Sequence, residues 1–79
     1  MEKRPKRQYY KDPERLQQIG IKIREARKQK DMSIEALANE CGIDYSQVLR
    51  MELGKVNFSI SYLYKIADVL KVDAKDLLP

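Results

Sequence analysis

Apolar positions along the chain recur at three- and four-residue intervals, the spacing that gathers side chains on one face of a helix. Leu16, Ile19, Ile23 and Ala26 set the first such stripe, and the run Asp12, Pro13, Glu14 ahead of it has the character of a helix start. Aspartate caps the exposed N–H groups, proline suits the first helical position, and a carboxylate favours the positive end of the helix dipole. A helix over residues 13–30 follows, with Gly20 expected to weaken it by about 1 kcal/mol relative to alanine. Ser33 caps a second, shorter helix whose buried stripe is Leu37, Ala38 and Cys41, and Gly42 supplies the left-handed residue that closes it. Asp44 and Gln47 have the spacing of a capping box for a third helix, in which Val48 and Met51 face inward and after which Gly54 stops the run. Ser59 starts a fourth helix with Ile60, Leu63, Ile66, Ala67 and Leu70 as its apolar face, and Asp73 caps a last turn that ends in Leu77 and Leu78. No segment alternates with the period of two that a strand requires, so the pattern predicts an all-α domain of five helices.

Two or three residues, one of them glycine, join the second and third helices, and so short a link makes them meet at a steep angle. The outward face of the third helix is mixed: Tyr45, Ser46, Leu49 and Arg50 are neither uniformly charged nor uniformly apolar. A surface that only needs solvation has no use for such a mixture.

Composition narrows the function. With 79 residues the chain holds one domain of modest stability, and 43% hydrophobic against 35% charged residues marks it as globular rather than disordered. One cysteine and no histidine exclude an internal disulfide and a structural zinc site, and no cofactor is expected. Nor does the chain carry a glycine-rich phosphate loop or a Cys/His pair, and its carboxylates fall at capping and surface places, so an enzyme is not expected. Neither a membrane span nor a signal peptide is present, which predicts a reduced, cytoplasmic setting without a small-molecule substrate. The formal net charge of +4 is concentrated in residues 1–11, where Lys3, Arg4, Lys6, Arg7 and Lys11 face Glu2 alone. Residues 12–79 balance to zero. The division is therefore a basic N-terminal arm over residues 1–11 and a domain over 12–79. Such an arm touches nucleic acid or is a solvated terminus, with Tyr9 and Tyr10 stacking or free. The polar face of the first helix extends the positive patch through Arg15, Lys22, Arg24, Arg27, Lys28 and Lys30. Cys41 reads as a small buried hydrophobe rather than a redox sensor. The "NFS" of residues 57–59 has the form of a glycosylation sequon without meaning in a cytosolic protein.

The ordered series "IREARKQKDMS", "ALANECGI", "RMELGK" and "LYKIADVLKV" resembles the helix-turn-helix domain of phage repressor, Cro and XRE-type regulators over residues 19–78. The resemblance implies a compact lambda-repressor-like fold whose third helix enters the major groove of double-stranded DNA. Carried over position by position, base reading falls to Tyr45, Ser46 and Arg50 with Leu49 alongside. Arg50 suits a bidentate bond to guanine, with a phosphate contact or surface ion pair as the plainer alternative. Tyr45 and Leu49 suit thymine methyl groups, and Leu49 serves a protein partner equally well. Contacts to the sugar-phosphate strand fall to Ser33, Lys55, Asn57 and Tyr62. Arg27 and Glu52 match a partly buried salt bridge between the first and third helices.

The chain departs from the family pattern in three ways. Ile34 stands where a phosphate-binding glutamine is usual. Phe58 replaces a loop proline and is expected to pack into the core. Leu49 and Leu53 are unusually apolar for exposed places. The expected protein is a repressor-like homodimer on a near-palindromic operator, its dimer surface drawn from Leu77, Leu78, Tyr62 and Val69. The rival is an antitoxin or adaptor that binds a partner protein, such as a toxin, as well as DNA.

Overall fold

The computed structural model describes residues 10–79, so Lys3, Arg4, Lys6, Arg7 and Tyr9 of the basic arm lie outside the described residues. Four α-helices follow in order, α1 Pro13–Gln29, α2 Ile34–Cys41, α3 Tyr45–Glu52 and α4 Ile60–Leu70. The expected fifth helix is a single 3-10 turn, Ala74–Leu77. Four residues are too few for the i to i+4 ladder of an α-helix to establish itself, and the tighter i to i+3 pattern takes its place. There are no strands among the described residues.

The stripes read from the sequence converge in one core. Ile23 of α1, Leu37 of α2, Val48 and Met51 of α3, Leu63, Ile66 and Leu70 of α4 and Leu77 of the closing turn are all fully buried. Each such side chain contributes about 1.5–3 kcal/mol of transfer free energy. Phe58 packs against this cluster from the α3–α4 loop. α3 lies between α1 and α2, and α4 closes the far side against α2 and the 3-10 turn.

Three of the helix starts use the side chains expected of them. Asp12 Oδ1 accepts from the Arg15 N–H at 3.1 Å, Ser33 Oγ from Ala36 at 3.0 Å and Ser59 Oγ from Tyr62 at 3.2 Å. The Arg15 N–H, and after it the Arg15 guanidinium, holds the Asp12 carboxyl below its ordinary pKa. Gly42 ends α2 in the left-handed region at φ +69°.

Five local expectations are corrected. Asp73 makes no side-chain bond to the N–H groups of the closing 3-10 turn and does not cap it. Asp44 makes no side-chain bond to the α3 N–H groups, so the capping box with Gln47 does not form. Its carboxylate is exposed, where hydration competes with the cap. Ile60 is not on the buried face of α4 but 60% exposed in its first turn, ahead of the point where α4 meets the core. Leu77 is 1% exposed and belongs to the core, which removes it from any dimer surface. Gly20 is no mere weakness in α1. A Cβ there would run into the backbone carbonyl of Glu52 and come within 2.6 Å of that of Met51, so glycine is what lets α1 lie against the end of α3. Gly54 has the same duty in reverse. At φ +71° it closes α3, and its bare Cα faces the Gln17 backbone.

Candidate nucleic-acid interface

α3 is held before it is offered. Val48 and Met51 anchor its inner face, and Gly20 and Gly54 press its C-terminal end against α1. A guanidinium completes the lock. Arg27 donates from Nε to Glu52 at 2.6 Å and from Nη2 to the same carboxylate at 3.0 Å, a two-point grip that fixes orientation as well as distance. Its Nη1 donates to the Met32 carbonyl at 2.8 Å, in the link just before the Ser33 cap. One side chain thus ties α1, the start of α2 and the end of α3. The bonds to Glu52 raise the Arg27 pKa above its ordinary value against the opposing effect of burial, with the carboxylate charge and Tyr45 adding to the rise. Both members are buried, so the salt bridge implied by the resemblance is present and structural.

The outward face that results is free. Tyr45 is 52% exposed, and Ser46 and Arg50 are exposed. Among the described residues, none of these three side chains makes a hydrogen bond or ion pair, while the buried polar atoms of the domain are all partnered. An eight-residue helix is about 12 Å long, short enough to lie along the floor of a major groove of comparable width.

Leu49 stands apart from that trio. It is half-buried and lines a groove of about 220 Å³ with Arg24, Arg27, Ile34, Glu52 and Leu53. Ile34, which stands where the family pattern has a glutamine, therefore shares one recess with Leu49 and Leu53. Their separate oddities in the sequence are one apolar feature in space.

The four residues expected at the sugar-phosphate strand lie on the segments that precede and follow α3 in the chain. Ser33, at the start of α2, uses its oxygen as an acceptor for the cap, and its hydroxyl proton is left to donate outward. Tyr62, 38% exposed, lies in the first turn of α4. Lys55 and Asn57 are exposed on the α3–α4 loop, but neither is idle. Asn57 Nδ2 donates to the carbonyl of Tyr10 at 2.8 Å, and Lys11 Nζ donates to the carbonyl of Lys55 at 2.9 Å. These bonds bridge 47 and 44 residues of sequence, and no periodicity or motif announces them.

A helix braced by α1 and α2, following a glycine-closed turn and presenting an unpartnered polar and aromatic face, is the build of a helix-turn-helix DNA-binding transcriptional regulator. The chain belongs to the HTH_3 helix-turn-helix family, which matches residues 23–77. It is 40% identical over 61 residues to the control protein C.BamHI of Bacillus amyloliquefaciens, covering 76% of this chain and 75% of that protein. Among solved structures it is similar to the restriction-modification controller protein C.AhdI of Aeromonas hydrophila, with a TM-score of 0.77 and 35% identity, over 80% of this chain and 96% of that one. It is also similar to SinR, the master regulator for biofilm formation, solved in complex with DNA. There the TM-score is 0.70 and the identity 35%, over 75% of this chain and 95% of that one. No helix of the described residues is long and apolar enough to cross a membrane.

Proposed function

We propose that this chain is a sequence-specific, repressor-like regulator that reads double-stranded DNA through α3, as a homodimer on a near-palindromic operator. The observation that carries the reading is the contrast within α3, whose inner side is locked by Val48, Met51 and Glu52 while Tyr45, Ser46 and Arg50 stand exposed without partners. Rigid placement of unpaired donors is what base recognition needs, because a side chain already bonded within the protein would have to break that bond first. Arg50 bonds guanine at O6 and N7, Tyr45 packs on a thymine methyl, and Ser46 bonds a base or phosphate. Ser33, Lys55, Asn57 and Tyr62 set the register on the strand, Asn57 while also holding Tyr10.

One α3 reads only a few base pairs, so two half-sites about one helical turn apart are expected. Leu78, 42% exposed, Tyr62 and the half-buried Val69 are the apolar side chains left for the dimer surface once Leu77 is assigned to the core. Two relatives are controller proteins, one of restriction-modification, and genes of that kind in the cytoplasm are the first to test as targets. A partner-protein reading has one observation of its own, the groove where Leu49 and Ile34 meet Leu53, itself 49% exposed.

Selection of bound fragments from a random DNA pool tests the proposal directly. A single enriched motif with two-fold symmetry is expected, and no enrichment over input would refute it. On the selected site, Arg50→Ala should erase preference at one position per half-site, a loss of about 1–3 kcal/mol, while weak salt-sensitive binding persists.

A further inference from the structure

Leu49 and Ile34 reach the groove beside α3 from different helices, and they are buried for different reasons. Both are half-buried and line it together with Leu53. Ile34 also packs against the core cluster, whereas Leu49 is half-buried outside that cluster. Leu49 therefore offers its carbons to the groove rather than to the fold. At about 220 Å³ the groove has room for a methyl group and the ring edge that carries it.

The groove is continuous with the outward face of α3. Leu49 directly precedes Arg50 and follows Tyr45 by four residues, so it shares one edge of that face with Tyr45. Arg24, from α1, lines the same groove. It is exposed and, among the described residues, makes no hydrogen bond or ion pair. A hydrocarbon floor with a free cation at its rim complements a DNA strand that presents an apolar group and, behind it, a phosphate. In the major groove that apolar group is the C5-methyl of a pyrimidine, carried by thymine and by methylated cytosine. Three side chains, two of them already half-buried, fall short of the roughly 800 Å² per partner that a stable protein interface buries. The groove therefore suits a small group on DNA better than the surface of a partner protein.

We propose that Leu49 and Ile34 form a receptor for the C5-methyl of a pyrimidine beside the base pair bonded by Arg50, so that the domain senses methylation of that base. The inference rests on the DNA-binding reading given above. It adds Ile34, which has no part in that reading, as a specificity-determining residue, and it extends the ligand from thymine to 5-methylcytosine. An unmethylated cytosine at that place leaves the receptor unfilled and binds less tightly.

The test is a scan of the selected site with the full-length protein, in which each thymine is replaced by uracil and each cytosine by 5-methylcytosine. Uracil lacks only the methyl and 5-methylcytosine adds only the methyl, so base pairing is kept in both. One position in each half-site, beside the pair that Arg50→Ala relaxes, should change affinity about fourfold, the transfer free energy of one buried methyl written as a binding ratio. Leu49→Ala and Ile34→Gln should each bring that ratio below about twofold while the preference at the Arg50 position stays in place. Thermal unfolding of both variants establishes that the fold is intact, and Leu49→Ala, outside the core cluster, keeps the test open if Ile34→Gln unfolds. If no position responds to the methyl, the receptor is refuted. A response that survives in either folded variant, the result expected if these side chains serve a protein partner, refutes it as well. So does a response that only Tyr45→Ala removes. Failure of the unaltered protein to bind any selected DNA would instead strike the underlying functional reading, so the two failures are separable.

Discussion

Gly20 shows how a single position reverses a rule of thumb. Helix propensity alone says that alanine there should stabilise α1 by about 1 kcal/mol. The added methyl would instead meet backbone, the carbonyls of Met51 and Glu52, which cannot rotate away as a side chain can. Gly20→Ala should therefore destabilise the domain by about 1–3 kcal/mol, seen as a lower urea midpoint with unchanged slope. Cys41 carries a second prediction at this scale. Burial pushes its thiol above the ordinary value, because the low-dielectric surroundings disfavour the thiolate, with Lys65 opposing and Glu40 reinforcing more weakly. A raised folded pKa means that this contribution is complete below the unfolded thiol's pKa and is lost as pH rises through the folded one. Stability measured from neutral pH upward should start to fall above about pH 9, the ordinary value, and Cys41→Ala should remove that share of the decline. Native protein should also react with a thiol reagent far more slowly than unfolded protein.

At the scale of elements, the helix starts separate what a sequence states from what it only permits. Ser33 and Asp44 are both good N-cap residues, yet only Ser33 bonds its helix. Ser33→Ala should cost about 1 kcal/mol, whereas Asp44→Ala should shift the unfolding midpoint by much less, because its carboxylate makes no bond to the helix. A larger loss for Asp44 than for Ser33 in thermal melts would contradict this assignment. Helix positions and the buried stripe were legible because Leu16, Ile23, Leu37, Val48, Met51, Leu63, Ile66 and Leu70 recur at helical spacing, a local property. Gly20 against Glu52 and Asn57 against Tyr10 were not legible, because each joins residues more than thirty positions apart and depends on how helices cross. Ile60 departs from its expected place for a related reason. Periodicity says which residues share a face, but not how far along the helix its neighbour extends.

For the whole molecule, the balance between a small core and a possible second copy comes down to two adjacent leucines. Leu77 is sealed into the core and Leu78, next to it, is 42% exposed. Leu77→Ala should cost about 2–5 kcal/mol and lower the thermal midpoint at every protein concentration. Leu78→Ala should leave the monomer within about 0.5 kcal/mol of its original stability while weakening self-association in sedimentation equilibrium. Equal effects of the two changes on unfolding would remove Leu78 from the proposed dimer surface. The sequence announced both leucines and the exposed mixed face of α3. It could not sort the two leucines, because the division falls where the 3-10 turn ends at Leu77 and the backbone becomes extended at Leu78.

The grip of Arg27 on Glu52 and Met32 has a consequence for how such a protein can change its target. The bonds that fix the angle of α3 use none of Tyr45, Ser46 or Arg50, and among the described residues those three side chains make no hydrogen bond or ion pair of their own. Holding and reading are therefore written in different letters of the same eight-residue word. New letters at the three reading positions would leave the scaffold's stability nearly untouched. On the proposed reading, exchanging a few exposed side chains would redirect the domain to another operator, while Gly20, Arg27, Glu52 and Gly54 keep every successor aimed the same way.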